Sequence, residues 1–162
     1  LQLSRLVESV NKIKPEILLI LGDREEAIMT ALVGTYLNIP IVHIGGGDQS
    51  YGNNDDVIRH AVTKLAHLHL TTNLKSKNNV LKLGEQSFRV KNVGYPGLDR
   101  LLEVPKISKR ELSKKLGFDL TERPIIFALQ HPLSTEIDKS YKHMKITLEA
   151  VKDLGYFFLA KI

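Results

Sequence analysis

Apolar positions recur along this chain in two rhythms. Near its beginning, Leu3, Leu6, Val7 and Val10 keep the three-and-four spacing of one helical face, and Pro15 ends that helix. Glu16 to Leu21 is then a nearly continuous apolar run, and its lack of polar alternation predicts a strand buried on both faces of a parallel sheet. A helix is expected from about Arg24 to Leu37, with Ala27, Ala31, Val33 and Gly34 small enough to lie close against that sheet. Asn38 suits its end, Pro40 follows, and Ile41 to Ile44 reads as a second strand. The alternation continues with a helix over Asp55 to Ala66, a strand over Leu68 to Thr72, a helix near Leu74 to Leu83 and a strand near Arg89 to Val93. On the Asp55 helix the apolar side is Val57, Ala61 and Leu65 with Ile58 and Val62 beside them, while Asp55 and Arg59 share a polar line. Repeated helix and strand in this order mean parallel βα units with right-handed crossovers.

Gly94-Tyr95-Pro96-Gly97 interrupts the pattern, and after Leu102 the chain turns lysine-rich and helical. Pro124 introduces a fresh apolar strand, Ile125 to Leu129, followed by a long helix from about Thr135 to Leu154 with Ser134 as its cap and Gly155 as its stop. A domain boundary is therefore expected within residues 103–123, dividing the chain into 1–105 and 106–162. Leu1 opens inside a helical pattern without Met, and Tyr156 to Leu159 close the chain as a strand with nothing after it. The expectation is a piece truncated at both ends.

A length of 162 residues with 43% hydrophobic and 25% charged residues describes a globular protein able to bury a core. The longest apolar run, Ile17 to Leu21, is far shorter than the roughly 20 residues of a membrane span. With no leader pattern either, no membrane association and a cytoplasmic location are expected. The absence of cysteine excludes disulfides and thiolate catalysis. The net charge of +5 attracts any polyanion and selects none; much of it lies in Lys106, Lys109, Arg110, Lys114 and Lys115, which read as a solvated helix face. No RNA-binding aromatic signature or recognition helix accompanies it, so no nucleic-acid partner is expected.

Candidate chemistry gathers where strands end. Asp23 follows the first strand at once, either projecting a carboxylate from the sheet's carboxyl edge or capping the next helix. Gly45-Gly46-Gly47 permits close backbone approach to a ligand or a simple tight turn, and the polar loop continues through Asp48 to Asn54. A calcium loop is excluded, because the positions that need glycine and glutamate hold Asn53 and Arg59. Asp55 and Asp56 either complement a helix dipole or form, with Arg59, a carboxylate cluster of the kind acid/base chemistry needs. His67 and His69, two apart on a strand, read as structural rather than as metal ligands with His43 or His60, since no acid or cysteine stands beside them at ligand spacing. His131 ends a strand before Pro132 and a helix start, a position from which an imidazole can meet a phosphate.

The runs Leu21-Gly22-Asp23-Arg24, His43-Ile44-Gly45-Gly46-Gly47-Asp48, Asp55 to His67, Gly94 to Asp99 and Leu129 to Glu136 occur in the order seen in UDP-N-acetylglucosamine 2-epimerases. The chain resembles most closely the hydrolysing branch, which releases UDP and N-acetylmannosamine for sialic-acid-type sugars. The resemblance implies two Rossmann-like domains in the GT-B arrangement, with residues 1–105 the later part of the first and 106–162 a linker and the start of the second. It implies UDP-N-acetylglucosamine as substrate, homo-oligomers of the full-length protein, and no metal or other cofactor. Asp23, Asp55 and Asp56 would be acid/base carboxylates, Arg59 their orienting partner, Gly45, Gly46 and Gly47 substrate-facing backbone, and His131 a group near the sugar and phosphates. Many relatives place Glu at the position of Gly45; here the nearest acid in that motif is Asp48, which either replaces that glutamate as a catalytic carboxylate or marks a different chemistry. The resemblance also places the uridine contacts and main diphosphate clamp beyond residue 162, so the isolated piece is expected to be inactive.

Overall fold

The computed structural model describes residues 2–50, 55–121, 125–131, 134–152, 154 and 157–161. Tyr51 to Asn54 of the glycine-led loop, together with Pro132, Gly155 and Tyr156, lie outside the described residues. The chain divides into two compact units, Leu1–Leu102 and Glu103–Ile162.

In the first unit the elements run α1 (Gln2–Ile13), β1 (Leu18–Leu21), α2 (Glu25–Tyr36), β2 (Ile41–Ile44), α3 (Asp55–Leu65), β3 (Leu68–Thr71), α4 (Leu74–Lys82), β4 (Val90–Asn92) and α5 (Pro96–Glu103). The four strands form one parallel sheet in sequential order, β1-β2-β3-β4, with Leu18 opposite Ile41, Val42 opposite Leu68 and His69 opposite Val90. This is the Rossmann-like parallel α/β class that the sequence pattern implied. Helix α2 ends as its sequence suggests: Asn38 takes a φ of 55°, Asn38 N–H reaches Thr35 O at 3.4 Å, and Ile39 N–H reaches Gly34 O at 2.9 Å. That is the paired closure of a left-handed helix stop.

Sequential strand order with right-handed crossovers sends α2, α3 and α4 to one face of the sheet. The core fills the space beneath them, with Leu18, Ile20, Ala27, Ala31, Ile41, Val62 and Ala66 buried together. The opposite face explains a departure from expectation. Leu19 and Leu21 are 65% and 61% exposed, so β1 alternates between buried and exposed and is not buried on both faces. Helix α3 is also turned from its expected orientation: Val57 and Ala61 are exposed, whereas Arg59, Val62 and Thr63 are buried. Its inward stripe includes a guanidinium, which a purely apolar reading of the helix cannot select. Helix α5 begins at Pro96, within the Gly94 to Gly97 stretch where only an interruption was expected.

The second unit contains α6 (Lys109–Leu116), β5 (Ile125–Leu129), a 3-10 segment (Ser134–Lys139), α7 (Ser140–Lys152) and β6 (Phe157–Lys161), with β5 and β6 parallel. Ser108 caps α6 by accepting the Glu111 N–H at 3.1 Å, and Gly117 ends it in the left-handed region. The expected single helix from Thr135 is instead the 3-10 segment, with a non-helical Glu136 inside it, followed by α7. Ile125, Phe127 and Leu129 are exposed, so β5 presents an uncovered face where a core strand was expected.

Gly34 shows how tightly α2 meets the sheet. A Cβ there would stand 2.8 Å from Ile41 Cγ1 and 2.9 Å from Leu18 Cδ1, closer than carbon atoms pack. Gly34→Ala is expected to lower the unfolding free energy by about 1–3 kcal/mol despite alanine's better helix propensity, read as a reduced urea midpoint. An unchanged or raised midpoint would show that the α2 contact yields without cost.

Candidate functional site

Parallel strands deliver their carboxyl ends to one edge of the sheet, so the segments that leave those ends are brought together in space. Asp23 lies two residues past β1, the glycine turn begins directly after β2, and Thr72 and Asn73 come directly after β3. Arg59, one turn into α3, ties these ends together. Its Nη2 forms an ion pair with Asp23, and its Nη1 donates to Gly45 O at 3.1 Å. A longer contact of 3.4 Å reaches Ser50 Oγ. Arg59 is only 7% exposed. Asp23 is therefore engaged by Arg59 and does not serve as the helix cap; the residue at the start of α2 is Arg24, which makes no side-chain capping bond.

His43, on β2, holds the same junction from within. It is completely buried, its Nε2–H donates to Gly22 O at 2.8 Å, and its Nδ1 accepts the Thr63 hydroxyl at 3.1 Å. Burial is the main reason its pKa falls from 6.5 to about 4, outweighing the opposing bond to Gly22 O. A neutral imidazole bonded on both nitrogens is a structural pin between β1, β2 and α3.

The glycine turn is fixed from the α4 side. Asp48 Oδ1 accepts both the Thr72 hydroxyl at 2.6 Å and the Ser76 hydroxyl at 2.5 Å. Asn79 donates to Gly47 O at 2.8 Å. Gly47 has φ 80°, and a Cβ on it would lie 2.2 Å from Ser76 O, so no other residue fits there. Asn73 caps α4 by accepting the Ser76 N–H at 2.9 Å. Across the turn, Asp56 Oδ1 accepts the Ser50 N–H at 2.7 Å. Asp55 sits half-buried in the first turn of α3 with no hydrogen bond to its side chain among the described residues. A cavity of about 440 Å³ opens here, lined by Asp48, Ser50, Arg59, Asn73 and Ser76 among others.

The structure thus brings Asp23, Gly45 and Arg59 into direct contact, places Asp48 beside them, and sets Asp56 against the same loop. His131 lies in the second unit, exposed at the end of β5. Sequence reasoning passed over Thr72, Asn73, Ser76 and Asn79. Their signal was positional, since they come after the carboxyl end of β3 as Asp23 and the glycines come after β1 and β2.

His67 and His69 are structural. His67 Nδ1 accepts the Ile41 N–H at 3.1 Å. His69, fully buried, meets Glu85 at 3.1 Å; burial lowers its pKa, partly offset by that carboxylate. The sequence had shown no acid beside it, because Glu85 arrives 16 positions later through the α4 crossover. Burial pushes Glu85 up, but hydrogen bonds and charge from Lys64 and His69 bring it below the usual carboxylate range. Among the described residues no group of three or more His, Cys, Asp or Glu is arranged to hold a metal ion. No described helix is long and apolar enough to cross a membrane.

The chain is similar to known proteins. The profile of the UDP-N-acetylglucosamine 2-epimerase family matches residues 1–160. A UDP-N,N'-diacetylbacillosamine 2-epimerase (hydrolyzing) of Legionella pneumophila is 34% identical over 85% of this chain and 35% of its own length. A GDP/UDP-N,N'-diacetylbacillosamine 2-epimerase (hydrolyzing) of Campylobacter jejuni is 32% identical over 95% of this chain and 40% of its own. Among solved structures, UDP-GlcNAc 2-epimerase from Neisseria meningitidis bound to UDP-GlcNAc superposes with a TM-score of 0.84 at 24% identity, over 98% of this chain and 45% of that one. The fold is that of GT-B epimerases, and the chain spans between a third and a half of the length of these proteins.

The His43 pin makes stability depend on pH. Between its folded pKa of about 4 and the unfolded 6.5, the unfolded chain binds one proton more than the folded chain. Stability therefore falls on acidification through that window, by about 3 kcal/mol from His43 alone. Urea midpoints measured from pH 7 to 4 should decline accordingly. His43→Gln should start lower and decline less steeply; an identical slope would show that His43 does not titrate this way.

Proposed function

The chain belongs to the UDP-N-acetylglucosamine 2-epimerase family, and from that premise we propose that it acts, within the full-length protein, as a hydrolysing nucleotide-sugar 2-epimerase. The observation that supports this reading is the meeting of Asp23, Arg59 and the Gly45 carbonyl beside Asp48 at one sheet edge, with Asp55 and Asp56 in the first turn of the helix that carries Arg59. In this reading a carboxylate removes the C2 proton of UDP-N-acetylglucosamine as UDP leaves C1, giving a 2-acetamidoglucal. Water then adds at C1, and a second acid delivers a proton to the opposite face of C2, so the products are UDP and N-acetylmannosamine. Proton traffic on both faces of the ring calls for more than one carboxyl group. Asp55, with no hydrogen bond to its side chain among the described residues, is the free candidate; Asp23, oriented by Arg59, is the anchored one. Helix N-termini are suited to the departing phosphates.

A second reading concerns the sugar. The two relatives with 34% and 32% identity are both named as acting on N,N'-diacetylbacillosamine, which favours a nucleotide sugar carrying a second acetamido group. Incubating the full-length protein in deuterated water with each UDP sugar separates the possibilities. Stoichiometric free UDP with deuterium at C2 of the released sugar is expected, and the faster substrate identifies the sugar. UDP-linked epimer alone would replace hydrolysis with reversible epimerisation, and binding without C2 exchange would make the protein a non-catalytic nucleotide-sugar binder.

Asp55→Asn keeps the size and polarity of the helix start, so stability should change little. Turnover of the full-length protein is expected to fall by about 10²-fold or more, with a much smaller change in substrate binding. Normal turnover with easier unfolding would make Asp55 a helix-start residue only.

A further inference from the structure

Asp48 is held in an unusual way for a loop carboxylate. Both hydroxyls that reach it, from Thr72 at 2.6 Å and Ser76 at 2.5 Å, converge on the same oxygen, Oδ1. The other oxygen, Oδ2, lies toward the backbone at Gly45: a Cβ built on that glycine would be 3.7 Å from it and 3.9 Å from Arg59 Nη1. The space that a side chain at residue 45 would occupy is thus bordered by Asp48 Oδ2, which has no hydrogen bond among the described residues, by the guanidinium of Arg59 and by the Gly22 backbone nitrogen. Asp48, Arg59 and Ser76 all line the same cavity.

The donors are themselves fixed. Ser76 is only 3% exposed, and its backbone N–H is held by the Asn73 cap at 2.9 Å. Thr72 Oγ1 in turn accepts the Asn73 amide at 3.0 Å. Asn79, one turn further along α4, holds Gly47 O, so the glycine turn cannot shift without breaking several bonds together. A carboxylate restrained at one oxygen by two short hydroxyl bonds has its second oxygen aimed, at no entropic cost when a ligand arrives.

We propose that Thr72 and Ser76 are positioning residues that hold the second oxygen of Asp48 toward the space beside Gly45 and Arg59, making Asp48 a proton-transfer group for the sugar. The proposal rests on the epimerase reading and names how one of its carboxylates is aimed. Neither hydroxyl touches the reacting atoms in this scheme; each acts through Asp48 alone.

A double-mutant cycle in the full-length protein tests it. Ser76→Ala and Thr72→Val each remove one donor while keeping the local shape, and alanine at the third position of α4 favours the helix. Each should lower kcat by about tenfold with KM within about twofold, since a small misplacement of a reacting group is enough for such a loss. Ser76→Thr, which restores a hydroxyl, should recover most of the rate. In an Asp48→Asn background the same changes should have little further effect on kcat, because the group they aim is already disabled. If wild-type protein turns over a UDP sugar but Ser76→Ala leaves kcat unchanged, or lowers it equally with and without Asp48, the positioning role is overturned and the epimerase reading stands. If wild-type protein turns over no nucleotide sugar, the epimerase reading falls and the positioning role falls with it.

Discussion

A guanidinium placed inside a protein must be given acceptors, and the first unit is organised around that demand at Arg59. Its two terminal nitrogens reach Asp23, beyond β1, and the Gly45 carbonyl, at the end of β2, from a position on α3. One side chain thus fixes the distance between two strand ends and the helix start that faces them. Removing one partner of a pair this buried costs about 3–5 kcal/mol, because the other charge is left without compensation. The arrangement also determines where the carboxylates of the sheet edge can stand.

His43 and Glu85 satisfy the same requirement at other places. The imidazole of His43 uses both nitrogens to join β1 to α3 through β2, and stays neutral because burial makes its charged form costly. Glu85 receives Lys64 at 2.5 Å, His69 at 3.1 Å and Arg89 at 3.2 Å, linking the end of α3, strand β3 and the approach to β4. These groups are part of the interior only because each has partners. Directional bonds of this kind hold elements in one register more strictly than apolar packing does, even though Arg59 Nε and His69 Nδ1 have no hydrogen-bond partner among the described residues.

The glycine turn combines both needs, since it must pass close to α4 and present groups to the cavity. Gly47 makes the close approach possible, and Asp48, Asn79 and Ser76 convert it into a bonded contact. Flexibility of the glycine backbone is thereby spent on reaching a particular conformation, and the turn is anchored on the α3 side by Asp56 and on the α4 side by Asp48. The epimerase family matches this chain from residue 1 to residue 160.

What the sequence by itself determined was the succession of elements and the class of fold. Periodicity over Gln2–Ile13, the apolar run before Gly22 and the small residues of α2 are local signals, and hydrophobic spacing and turn chemistry are read within a few residues of chain. Asp23, Asp48, Asp55, Asp56 and Arg59 were also visible as candidates, because strand ends of a parallel sheet share one edge whatever their details. Only the tertiary structure decided which of them meet. That Asp23 pairs with a residue 36 positions away, that Asp48 is gripped by α4, and that Arg59 rather than Val57 faces inward are decisions made by long-range packing. The exposed faces of β1 and β5 belong to the same class, since an apolar run states that a strand is suited to burial, but the elements stacked on it decide whether it is buried.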